Sequence, residues 1–188
     1  MVFVGSLIKL ASDVQNWSVD NILSAISILL VIVGGLFAFK QWASSNQTKR
    51  TELIHQIIEK LRFDEDIART MYLIDYGTPW YNEDFHDRDD DLEYRIDKVL
   101  SFLNYICYLR KEKMFSKREF RILQYEINRA CVSFDVQCYL WNLYHFSIKQ
   151  GTVCSFQDLI DYGIEEDIIK KDLFLSISGV PFIKYLNF

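Results

Sequence analysis

Eighteen consecutive residues near the start of the chain, Ile22 to Phe39 (ILSAISILLVIVGGLFAF), carry no charged side chain. A run of this length has three ordinary destinations: a membrane span, a helix buried in a core, or a secretion signal. Twelve of the positions are Leu, Ile, Val or Phe. At transfer values near −0.3 to −0.6 kcal/mol each, they favour membrane insertion by about 4–7 kcal/mol. As a helix the run extends about 27 Å at 1.5 Å per residue, close to the thickness of a hydrocarbon core. Trp17 and Trp42 flank it, where amphipathic rings prefer the membrane interface, and Lys40 has a stem long enough to snorkel. A cleaved signal fits less well, since the basic side chains follow the run instead of preceding it: Lys9 stands before it, and Lys40, Lys49, Arg50 and Lys60 after.

The same asymmetry orients the span by the positive-inside rule. The expected organisation is an extracytoplasmic segment over residues 1–20, a transmembrane helix over 21–42, and a cytosolic all-α domain over 43–188. The segment VFVGSLIKLASDV is amphipathic and too short to cross, which suits the outer membrane surface. Within the span, Ser24, Ser27, Val31, Gly34 and Ala38 recur at alternating three- and four-residue steps and form one face of mostly small side chains. Helices in lipid associate by close backbone approach, so this face is expected to mediate self-association or, through its serines, to line a pore.

Beyond the span, apolar residues keep a helical period. Leu53, Ile54, Ile57, Ile58 and Leu61 make one stripe; Leu92, Ile96, Val99, Leu103 and Ile106 make another. A third runs through Phe120, Leu123, Ile127, Ala130, Phe134, Trp141, Tyr144 and Ile148, interrupted by Gln137. It predicts either one helix of about 30 residues or two broken near Ser133–Asp135. Ser116–Glu119 (SKRE) reads as a capping box that starts it, and Gly151 as its end. DEDIARTMYLIDY is a short helix stopping at Gly77–Thr78–Pro79, and shorter helices are expected between Ser155 and Lys171, with Ser155 as an N-cap. No alternating strand pattern competes, so the fold class is all-α.

The chemistry-bearing residues are sparse. Cys107, Cys131, Cys138 and Cys154 form no CxxC pair. The seven-residue spacing of Cys131 and Cys138 places them on one helix face as reduced core thiols. His55, His86 and His145 are far apart, so no metal site and no cofactor is expected. The carboxylates of Asp87–Arg95 (DRDDDLEYR) lack the spacing of a calcium loop and suit a helix start, where acids complement the dipole. A net charge of −5 gives no overall attraction to nucleic acid. One local exception exists: Arg110, Lys111, Lys113, Lys117, Arg118 and Arg121 set six cations against two glutamates around a predicted helix–helix turn. That cluster suits an anionic partner, whether lipid head groups, RNA phosphates or an acidic protein face, or else an ordinary solvated turn.

Arg50 and His55 (RTELIH) form the chain's one Arg-x4-His. HEPN ribonucleases use such a pair, the imidazole moving protons for 2′-hydroxyl attack and the guanidinium stabilising phosphate charge. Here Thr51 follows the arginine, where active members usually carry Asn, Asp or His, and no enzymatic activity is expected. The span NILSAISILLVIVGGLFAFKQW, the helical periodicity after it, the short chain and the degenerate RTELIH together resemble the small transmembrane accessory proteins of type VI-B CRISPR systems. The resemblance implies an HEPN-like bundle, a ring-like pore-forming homo-oligomer in the bacterial inner membrane, and a functional link to an RNA-guided effector. Membrane depolarisation after the effector cuts viral RNA would then strengthen antiviral defence, and Arg50 and His55 would be the positions of the family's pair.

Overall fold

The computed structural model describes residues 18–76, 79–82, 85 and 91–175. The expectations for residues 1–17, for Gly77 and Thr78, for His86 and Asp87–Asp90, and for the tail 176–188 fall outside the described residues. The chain divides into two units, Met1–Thr51 and Glu52–Phe188. Every regular element among the described residues is helical: α1 (Val19–Phe63), α2 (Glu65–Asp75), α3 (Leu92–Lys111), α4 (Lys117–Val132), α5 (Phe134–Gln150), α6 (Gln157–Glu165) and α7 (Lys171–Leu175).

The first unit contributes the apolar part of α1. Its most apolar 18-residue window has a mean hydropathy of 2.7, and none of it is buried inside the fold. Leu29, Leu30, Val31, Leu36 and Phe37 are all exposed. Beyond Trp42 the composition turns polar but the helix continues, and two of its hydroxyls are satisfied on its own backbone. Thr48 Oγ1 donates to the Ser44 carbonyl at 3.1 Å and Thr51 Oγ1 to that of Gln47 at 3.0 Å.

The second unit is a helical bundle. Its core takes Ile54 and Ile57 from the end of α1 and Ile67, Met71 and Ile74 from α2, all at helical spacing. Asp64 caps α2 by accepting the Ile67 N–H, and Lys98 of α3 bridges Asp64 at 3.0 Å and Asp66 at 2.7 Å. The α3 stripe predicted from sequence is fully buried. α3 packs most extensively against α6 and also against α2.

The long third stripe is two helices. Ser133, with extended backbone (φ −60°, ψ 124°), ends α4 and precedes α5. Gln137, the residue that breaks the apolar rhythm, donates its side-chain amide to the Cys131 carbonyl at 2.7 Å and so satisfies the end of α4. The break changes three expectations. Phe134 begins the second helix and is 62% exposed instead of lying in the core, and Ile148 at the far end is exposed as well. Cys131 and Cys138 belong to different helices and share no helix face, although all four cysteines are free and buried, as expected.

Periodicity gave no hint of the segment between α2 and α3. Trp80, Tyr81 and Phe85 are buried there and pack edge-on around Tyr139 with ring centroids 5.4–6.1 Å apart. Asp135 Oδ2 accepts the backbone N–H groups of Trp80 and Tyr81 at 2.6 and 3.2 Å, and Asn142 Nδ2 donates to the Tyr81 hydroxyl at 2.7 Å. A non-regular stretch can lie in a core when its amides are met in this way.

Candidate functional site

A cleft of about 640 Å³ opens in the second unit between the α3–α4 turn and α6. Five of the six basic residues singled out from sequence line it: Arg110, Lys111, Lys113, Lys117 and Arg121. Arg118 is exposed and lies outside the lining.

The turn that gathers these cations is built from two cap motifs. At the end of α3, the Met114 N–H bonds to the Leu109 carbonyl at 2.9 Å and the Lys113 N–H to the Arg110 carbonyl at 3.0 Å. This is the Schellman arrangement, which needs a left-handed residue and usually takes glycine. The chain uses glycine in the equivalent place after α5, where Gly151 has φ 67° and the Thr152 N–H reaches Ser147. After α3 the position is Lys113, with φ 58°. A side chain there costs about 1–2 kcal/mol relative to the right-handed form. Three residues on, the capping box opens α4: Ser116 Oγ accepts the Glu119 N–H at 3.3 Å and Glu119 Oε2 the Ser116 N–H at 2.6 Å. Lys117 and Arg121 then stand one turn apart on one face of α4, a like-charge spacing that disfavours a helix.

The opposite wall is acidic. Asp158, Asp161 and Glu165 recur at three- and four-residue steps along α6, with Glu166 beside them. Arg110 divides its guanidinium between Glu165 at 2.8 Å and Glu166 at 2.7 Å, and its carbon lies 5.2 and 4.9 Å from the ring centroids of Phe120 and Tyr162. Lys111 contacts Asp158 at 2.8 Å and Asp161 at 3.4 Å; the Asp158 hydrogen bond raises its pKa above the usual lysine range. Two of the five cations are thus committed to the acidic wall. Lys113, Lys117 and Arg121 make no ion pair among the described residues. The cleft is bipolar: three uncompensated cations face four carboxylates that share two.

Sequence reading found the cations and missed the acids that confront them. The acidic spacing on α6 was legible, but nothing local said that α6 would pack against α3. That contact is fixed by distant groups: Asn104 Oδ1 accepts the Leu159 N–H at 2.8 Å, and the Tyr162 hydroxyl donates to Asn128 Oδ1 at 2.6 Å. Asn104 therefore serves the third amide of α6, and the residue preceding that helix is Phe156, not the expected Ser155. At the cleft floor Cys107 is buried and its thiol is pushed up by desolvation, so it is a packing group and not a nucleophile.

The remaining predicted residues lie elsewhere. Ser24, Ser27, Val31, Gly34 and Ala38 are all exposed on α1. A Cβ added at Gly34 or Gly35 would meet nothing within 4 Å, so contacts within this chain do not require either glycine. Arg50 and His55 share one regular helix, where a five-residue separation turns side chains about 140° apart. Arg50 is half-buried and His55 exposed. No group of three or more metal-ligating side chains occurs among the described residues. No protein-family model, curated protein or solved structure matches the chain.

Proposed function

We propose that this chain is a single-pass protein of the bacterial inner membrane that works without enzymatic activity as a homo-oligomer. Its N-terminus faces outward and an HEPN-like helical bundle lies in the cytoplasm. The observation that carries this reading is the exposed apolar window of α1, with mean hydropathy 2.7 and no part buried inside the fold. In water such a surface far exceeds the apolar patch a soluble monomer tolerates. In lipid it is the natural exterior of a span.

Self-association is supported by Gly34 and Gly35. A glycine in a helix costs about 1 kcal/mol relative to alanine. Nothing within the chain occupies the space above either residue. A neighbouring helix approaching along Ser24, Ser27, Val31, Gly34 and Ala38 gives that space a use. Copies meeting on this face, with two hydroxyl-bearing positions, would form a ring that admits ions and depolarises the membrane. An RNA-guided CRISPR effector as functional partner follows from the family resemblance.

Alkaline carbonate extraction tests the anchor: the chain is expected in the membrane pellet, and recovery in the aqueous fraction ends the proposal. The mass of the detergent-solubilised protein tests assembly. Gly34→Leu is expected to reduce the oligomer, while Leu29→Ala, on the opposite side of the helix, leaves it intact; a monomeric wild type refutes the ring. A potential-sensitive dye in expressing cells reports depolarisation, and unchanged polarisation with an assembled oligomer refutes the pore.

A further inference from the structure

The bipolar cleft is separate from the span and is not used by the proposed membrane role. We infer that it binds a small molecule bearing one phosphate group at one end and a cationic or hydrogen-bond-donating group at the other. Lys113, Lys117 and Arg121 line the cleft, and none of the three makes an ion pair with a carboxylate among the described residues. They come from two local structures, the left-handed turn residue after α3 and one face of α4, that converge on the same space. Phosphate recognition by Lys and Arg needs this convergence of charged donors.

The opposite wall restricts what the phosphate can be attached to. Asp158, Asp161, Glu165 and Glu166 hold four carboxylates against the two cations Arg110 and Lys111, which leaves that wall acidic. An extended polyanion such as RNA would be repelled there, because like charges across a contact disfavour binding. A short dipolar molecule is attracted at both ends. The aromatic rings of Phe120 and Tyr162 are buried beneath Arg110, so they offer no stacking surface for a row of bases. The volume of about 640 Å³ suits a small molecule. A phosphoethanolamine head group and a mononucleotide both have this chemistry, and the test separates them.

The full-length protein in mild detergent is titrated with phosphoethanolamine, adenosine monophosphate and inorganic phosphate, and binding is followed by phosphorus NMR line broadening. Either organic phosphate is expected to bind at least tenfold more tightly than inorganic phosphate, and the tighter of the two names the source. Lys117→Ala combined with Arg121→Ala places good helix formers on α4 and is expected to weaken binding at least tenfold. Lys113→Gly removes a cation from a left-handed position, so it is expected to raise the melting temperature while weakening binding severalfold. Absence of broadening with all three probes overturns the inference. So does broadening that the Lys117→Ala, Arg121→Ala protein retains in full, or inorganic phosphate binding as tightly as both organic ones.

Discussion

Gly163→Ala offers a sharp check on the packing of α6, the helix that carries the acidic wall. Alanine would ordinarily stabilise a helix interior by about 0.8–1.0 kcal/mol over glycine. Here the added Cβ would lie 2.5 Å from Ile169 Cδ1 and 2.7 Å from its Cγ1. Ile169 cannot readily withdraw: it is 1% exposed and β-branched. Its backbone N–H and that of Ile168 both bond to the Gly163 carbonyl at 2.9 Å, which ties the two residues to the glycine. Overpacking of this kind costs about 1–3 kcal/mol. Subtracting the propensity gain leaves a net change between about zero and a loss of about 2 kcal/mol, or a melting temperature lower by up to roughly 8 °C, in place of the rise that the propensity alone would give. The assay is thermal unfolding of the full-length protein in mild detergent, followed by near-ultraviolet circular dichroism. Ile169→Ala alone is expected to cost about 2–5 kcal/mol by leaving a cavity. The double variant, in which the new methyl group enters that cavity, should cost less than the sum of the singles. A Gly163→Ala protein stabilised by the full propensity gain of about 0.8–1.0 kcal/mol, or strict additivity in the double variant, refutes the reasoning.

Asp135→Ala removes the acceptor of the Trp80 and Tyr81 amides and is expected to destabilise the bundle by about 2–4 kcal/mol in denaturant unfolding, with Asp135→Asn intermediate. Burial pushes the Asp64 carboxyl up, but hydrogen bonds from Lys98 and the Ile67 amide outweigh it and hold the pKa below its usual value. Its stabilising contribution is therefore present above about pH 4 and lost as pH falls through the lowered pKa, and Lys98→Met should flatten that acid limb of the stability curve. The Asp66 and Asp64 hydrogen bonds raise Lys98 in turn, so its contribution is complete below about pH 10 and fades as pH rises past the raised value. Burial pushes the Cys131 and Cys138 thiols up to about 12, and mass spectrometry after alkylation at pH 8 should find both unmodified until the bundle is unfolded. RNA turnover by the purified protein is expected to be the same for wild type and His55→Ala, given how far that side chain points from Arg50.

The helices were legible where a local signal and the apolar period agreed. The α3 stripe is buried as read, and the Ser116 capping box is present with both of its hydrogen bonds. Reading failed where a distant group replaced a local one. The period alone carried Phe134 into the core, whereas α4 ends at Val132, where Gln137 reaches back to the Cys131 carbonyl. Ser155 resembled a cap, but Asn104 on another helix does that work. Trp80, Tyr81 and Phe85 have no period to read, and they are held by Asp135, more than 50 residues away in sequence. In the cleft, the cations were visible as a charge run, while their three-against-two division depended on which helix α6 would meet.

The aromatic centre of the bundle also has a practical consequence. The sequence has four tryptophans, and Trp80 and Trp141 are 2% and 0% exposed, whereas Trp42 at the end of the apolar run is 61% exposed. Replacing Trp17 and Trp42 by Phe would leave two indole emitters, both enclosed by the bundle. Their fluorescence would then follow the opening of the bundle without any attached dye.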